Sequence, residues 1–201
     1  MPKKVDHELQ RRRIAEALWR LVGRGGLEAV SMRDVAAEAG LSSAQHYFAN
    51  KDEMLRFALV YLVERSTRRI HQRIADSPER VPPRTVLKDV IADLLFSEEQ
   101  YRDQARVWAG YLAKATVEPK LAEFYQTVYA ELGDVVAGLF RAARDTGGAP
   151  ADLDPDRAAV SLLALADGLT LHVLIGLRTH ETALAALTDH LDALLRTSDD
   201  G

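Results

Sequence analysis

Cysteine is absent from this 201-residue chain. That excludes disulfides, thiolate nucleophiles and cysteine-ligated zinc, and it fits a reducing cytoplasm. No segment alternates apolar and polar residues in the manner of a strand, so no sheet is expected. The six histidines, His7, His46, His71, His172, His180 and His190, fall in no metal-binding spacing. No nucleophile elbow or P-loop occurs. The glycines at 23–26 follow a helical stretch rather than a strand, the wrong setting for cradling phosphate. No catalytic residue, metal site or cofactor is therefore expected, and the chain is not read as an enzyme. The opening stretch "MPKKVDHELQRRR" has no apolar core and is not read as a secretory signal. No internal repeat is visible.

What is present is an ordinary globular composition, 47% hydrophobic and 28% charged, so disorder is not the default. The length suits one large domain or a small one joined to a larger. Net charge is −4 but unevenly spread: residues 1–73 hold 14 Lys/Arg against 9 Asp/Glu, and residues 74–201 hold 12 against 21. A basic front and an acidic back suit a molecule whose front approaches a polyanion.

Nearly every segment carries helical period, which predicts an all-α fold of about nine helices. The first spans roughly 6–24, with Ile14, Leu18, Leu21 and Val22 on one face, and is expected to break at the glycines of "GRGG". Ser31 caps a second helix, with Asp34 three residues on as a capping-box variant. Gly40 supplies a left-handed stop, and Ser42 can cap a third helix. A fourth runs from about Lys51 toward Ala75 with Leu55, Leu59 and Leu62 inward. "DSPERVPPR" (76–84), with three prolines in six residues, is the clearest linker. Further helices are expected near 84–97, 99–114, 118–145, 155–178 and 181–196. Asp154 followed by Pro155 is a strong start signal.

"AAVSLLALADGLTLHVLIGL" (158–177) is long enough to span a bilayer. Asp167 and His172 in its middle, and the lack of a second such segment, argue against a membrane. A helix apolar all round must be covered all round. In the last helix Leu184, Leu187, Leu191 and Leu194 form a seam, opposite a polar face with Asp189, Asp192 and Arg196. Two such helices from each of two copies would make a four-helix bundle, so a homodimer through the last two helices is expected. Gly168 and Gly176 would allow close helix contact there. Asp167 and His172 need buried partners, either a structural neighbour or a ligand.

Helix, turn at a glycine, helix is the order of a helix-turn-helix, whose second helix enters the DNA major groove. Gln45 could read adenine, Ser42 or Ser43 almost any base, and Lys51 at a helix start suits phosphate. The run "RIAEALWRLVGRGGLEAVSMRDVAAEAGLS…QHYFANKDEML" resembles the DNA-binding domain of the TetR/AcrR transcriptional regulators, from about Arg12 to Leu55. The resemblance of 80–196 is one of architecture alone. It implies a homodimer whose last two helices pair, a ligand cavity among the middle helices, and DNA release when a small molecule fills it. By correspondence, Ser31 and Arg33 match the phosphate-contacting start of the second helix. Ser42, Ser43, Ala44, Gln45 and His46 match the base-facing helix, and Tyr47 and Lys51 match backbone contacts. Residues 1–54 would form the DNA-binding domain and 55–201 the ligand-binding and dimerisation domain.

One departure from the family pattern shifts the register. About ten residues usually separate the turn glycine from the phenylalanine of "HYF"; here Leu41 to Phe48 is eight. The apolar anchor of the recognition helix would then fall on His46. Two residues amount to roughly 200° of helical rotation. Either Ala44 takes the anchoring place on a shortened helix, or the sequence lacks two residues. Given the resemblance, the aromatic cluster Phe96, Tyr101, Trp108, Tyr111, Phe124, Tyr125 and Tyr129, with His172, becomes the candidate effector site. The function expected is a ligand-responsive regulator: a repressor bound to a palindromic double-stranded operator and released by a small-molecule effector. The alternative is a helical ligand-binding or adaptor protein whose helix-turn-helix no longer holds DNA.

Overall fold

The computed structural model describes residues 2–76, 82–95 and 101–196. Among them are eight helices and no strand: α1 Pro2–Gly25, α2 Met32–Glu38, α3 Lys51–Asp76, α4 Pro83–Leu94, α5 Arg102–Ala115, α6 Pro119–Asp145, α7 Pro155–Leu174 and α8 His180–Leu194. The chain forms two compact units. One holds residues 1–65 and 100–121, the other residues 66–99 and 122–201. The fold is all-α as expected, with one helix fewer among the described residues.

In the first unit α1 is the central element, packed against α2 and α5. Ile14, Leu18, Trp19 and Val22 of α1 are buried with Val35 of α2 and Met54, Leu59 and Leu62 of α3. The Trp19 indole N–H donates to the Ala58 carbonyl at 3.2 Å, so this large ring enters the core without stranding its polar edge. Gly23 does not break α1 as expected; the helix runs through it to Gly25. A Cβ at Gly23 would lie 1.8 Å from the Asp103 Oδ1 of α5, and Arg106 Nη1 donates to the Gly23 carbonyl at 2.8 Å. Glycine is here a requirement of close approach, and the stop comes at Gly26, with φ +80°.

Local chemistry sets the ends of α2. The Ser31 side chain accepts the Asp34 N–H at 3.2 Å and its hydroxyl donates to the Asp34 carboxylate at 2.5 Å. At the other end Gly40 has φ +69°. The Gly40 N–H reaches the Ala37 carbonyl at 3.1 Å and the Leu41 N–H the Ala36 carbonyl at 2.9 Å. That pair of bonds is a Schellman stop, satisfying carbonyls the helix would leave open.

The expected third helix does not form. Residues 41–50 contain a single turn over Gln45–Tyr47, closed by the Tyr47 and Phe48 N–H groups on the Ala44 carbonyl at 3.0 and 3.1 Å. The Ser43 hydroxyl accepts the Gln45 N–H at 3.1 Å, which caps the start of this turn. The next helix then limits its length. Asn50 Oδ1 accepts the Glu53 N–H at 2.8 Å, which fixes the start of α3 at Lys51, only three residues beyond Phe48.

The second unit packs α4, α6, α7, α8 and the end of α3 around one core. Leu87, Val90, Ile91, Val136, Phe140, Leu162, Leu187 and Leu191 are all fully buried there. Asp154 caps α7 as expected, accepting the Asp156 and Arg157 N–H groups at 3.1 Å each. The α8 leucine seam faces this core, with Leu184 and Leu194 partly buried at its edge. The α7 helix ends at Leu174, earlier than expected, because Gly176 (φ +75°) forms a second Schellman stop with the Leu177 N–H on the His172 carbonyl at 2.8 Å. Gly176 therefore turns the chain and does not sit in a helix contact. Exposed instead are Val160, 69%, Leu171, 42%, Ile175, 74%, and Leu177, 57%. On the opposite flank Asp192 pairs with Arg84 at 2.9 Å and Lys88 at 3.4 Å. Burial opposes ionisation of Asp192, but those two cations outweigh it and hold the carboxyl below its ordinary value.

Candidate functional site

The candidate DNA-facing residues gather around the turn at 44–47. Ser31, Arg33, Ser42, Gln45 and His46 are exposed, and Ser43, Tyr47 and Lys51 are half-buried. Lys51 Nζ donates to the Glu28 carbonyl at 3.4 Å, which ties the start of α3 to the loop leading into Ser31. Ala44 is the exception: at 1% exposure it points inward and anchors the turn, so it cannot face a base. Phe48, at 2%, is the second anchor. The turn is thus pinned at Ala44 and Phe48 while Gln45 and His46 project between them.

Two further groups fix this surface. Glu38 of α2 receives Arg20 at 2.8 Å and Arg24 at 2.7 Å from α1. Those hydrogen bonds, Arg20 first and then Arg24, lower the Glu38 carboxyl below its ordinary range. The second group is one the sequence reading missed. The guanidinium of Arg11 lies 4.5 Å from the Phe48 ring centre and 4.4 Å from that of Phe57, and its Nη2 is 3.4 Å from Glu53 Oε1. One turn earlier on α1, the His7 ring lies 5.1 Å from Tyr47. Asn50 and Glu53 carry capping-box spacing, a legible signal for the start of α3. Nothing local marks Arg11.

The candidate effector residues divide between the units. Tyr101, Trp108 and Tyr111 belong to α5 and its start in the first unit; Phe124, Tyr125, Tyr129 and His172 belong to the second. Phe96 lies outside the described residues. Tyr111 is 4% exposed, and its hydroxyl finds no hydrogen-bond partner among the described residues. Burial first, then the charges of Asp52 and Glu118, push its ionisation far above the usual phenol range. In the second unit the Tyr125 and Tyr129 rings stack at 6.4 Å, and Phe124 meets Tyr125 edge-on at 5.9 Å. The Tyr129 hydroxyl donates a short hydrogen bond to Asp167 of α7. Aromatic faces beside a half-buried carboxylate are the chemistry that receives a small cation. His172, five residues beyond Asp167, is turned roughly 140° around α7. No group of three or more metal-ligating side chains occurs among the described residues.

Residues 14–57 match the family described as bacterial regulatory proteins, tetR family. Residues 83–196 match the one described as BetI-type transcriptional repressor, C-terminal. The HTH-type transcriptional regulator PksA of Bacillus subtilis is 33% identical over 180 residues, 87% of this chain and 83% of its own length. The HTH-type transcriptional regulator BetI of Rhizobium meliloti is 25% identical over 209 residues, 100% of this chain and 97% of its own. Among solved structures, a Saccharomonospora viridis protein in complex with choline has a TM-score of 0.78 at 30% identity, covering 91% of this chain and 93% of its own.

Proposed function

The chain belongs to the TetR family of bacterial regulatory proteins, with a carboxy-terminal part of the BetI type, and from that premise we propose how it binds and releases DNA. It is a DNA-binding transcriptional regulator. Two copies, acting in the cytoplasm as a repressor, hold a palindromic duplex; residues 1–54 meet the DNA, and residues 55–201 carry the effector and dimer contacts. The supporting observation is the surface around the 44–47 turn, where exposed Gln45 and His46 stand between two buried anchors. Gln45 suits adenine and Ser42 or Ser43 most base edges. Ser31, Arg33, Tyr47 and Lys51 suit phosphates. Lys51 spends one of its three donors on Glu28, leaving two for the backbone of DNA.

The exposed apolar residues of α7, from Val160 to Leu177, support pairing of two copies through α7 and α8. A twofold dimer sets its two reading turns about 34–36 Å apart, one turn of the duplex. The effector site takes Phe124, Tyr125 and Tyr129, with Asp167 as its charge. A small organic cation fits that set, and the choline complex of a 30%-identical relative supports it. An effector that binds better to a dimer with misplaced reading turns shifts the population off DNA by its differential affinity.

Absence of the recognition helix favours one second reading, a ligand-binding protein whose first unit does not hold DNA. Selection of duplexes from a random-sequence library separates the two. The regulator reading expects a palindromic site to be enriched and bound with a log affinity that falls linearly with log salt. Failure to enrich any duplex leaves the second reading.

A further inference from the structure

We propose that Arg11 is the positioning residue that shapes the DNA-facing turn, standing in for the helix that this segment lacks. The inference rests on the reading that residues 42–48 meet DNA. A lone turn is a poor structure by itself, since fixing several dihedrals for one or two hydrogen bonds is unfavourable; helix nucleation constants are on the order of 10⁻³. Something outside the segment must hold it. Arg11 is placed to do so. Its guanidinium sits in the wedge between Phe48, which closes the turn, and Phe57 of α3, whose ring centres are 5.4 Å apart. Its Nη2 approaches Glu53 Oε1 at 3.4 Å, while Glu53 Oε2 accepts the Ala49 N–H at 2.7 Å. One cation therefore links α1, the last residues of the turn and the first turn of α3. His7, four residues earlier on the same face, touches Tyr47. Two consecutive residues of the reading segment are braced from α1.

The planar guanidinium can stack on both rings and still direct an N–H at Glu53, which a lysine ammonium cannot do. Charge alone is therefore insufficient, and the test turns on that difference. Duplexes enriched from a random-sequence library by the wild-type protein serve as the specific probe, and the unselected library as the nonspecific one. Arg11→Lys and Arg11→Met should each bind the enriched duplex at least tenfold more weakly, while binding the unselected library within twofold of wild type. The slope of log affinity against log salt should stay the same, because no phosphate contact is lost. Glu53→Gln, which keeps an acceptor for the Ala49 N–H, should lose specificity by a smaller factor.

Arg11→Lys binding the enriched duplex within twofold of wild type overturns the proposal. So does an equal loss on both probes with the salt slope reduced by about one, which would make Arg11 a direct phosphate contact. Loss of helix content in Arg11→Lys would also overturn it, by making the residue a fold determinant. Should the wild-type protein enrich no duplex at all, the DNA reading fails first, a result separable from these.

Discussion

Tyr111→Phe removes one oxygen from the first unit and should make the protein more stable. The Tyr111 hydroxyl is buried on α5 without a hydrogen-bond partner among the described residues. A polar group hydrated in the unfolded chain and left unpaired in the fold costs about 1–3 kcal/mol. Against that gain stands the packing lost with one atom. At about 0.1–0.2 kcal/mol per contact, a handful of contacts amounts to roughly half a kcal/mol. The desolvation effect wins, and the net gain should be about 1 kcal/mol. Urea denaturation at fixed protein concentration should show a higher midpoint with an unchanged m-value. In a thermal scan the midpoint should rise by about 2–4 °C, the shift typical of 1 kcal/mol in a chain of this size. Equal or lower stability in the phenylalanine variant would refute the reasoning, because the hydroxyl must then have a partner that holds it. A rise in stability together with weaker effector response would show that the oxygen is kept for binding.

Four other outcomes are expected. Asp154→Ala removes the acceptor for two N–H groups at the start of α7; a loss of about 1 kcal/mol by urea denaturation checks it. Asp167→Asn keeps a partner for Tyr129 but removes the charge, so binding of a small quaternary-ammonium probe, as the proposed cation site expects, should weaken at least tenfold by calorimetry. Ile175→Asp with Val160→Asp should give monomers in analytical ultracentrifugation with helix content intact; a dimer at micromolar concentration would place the interface elsewhere. The Asp192 carboxyl lies below its ordinary value, so its contribution is present above about pH 4 and is lost as pH falls through the lower folded value. The stability gap between wild type and Asp192→Asn should therefore be constant from pH 5 to 7 and close only in stronger acid.

Capping chemistry made most helix boundaries legible. Ser31 with Asp34, Gly40, and Asp154 with Pro155 act through hydrogen bonds and dihedral preferences that span a few residues, so the sequence alone determined where α2 and α7 begin and where α2 stops. The exposed members of the candidate DNA surface were legible as well, because polar side chains next to a buried Phe48 leave few inward places. Ala44 was not. Its direction depends on whether residues 42–48 coil as a helix or close as one turn, and period gives no answer over so short a run.

Tertiary structure alone decided the rest. Gly23 stays helical because Asp103 and Arg106, distant in sequence, press against its backbone. The α8 leucine seam turns toward its own core, leaving the exposed apolar face to α7. Arg11 reaches Phe48, Phe57 and Glu53 across more than thirty positions of chain, which no local pattern encodes. Local hydrogen bonds can be read from neighbours in sequence; close approach and side-chain stacking exist only once separate helices have met.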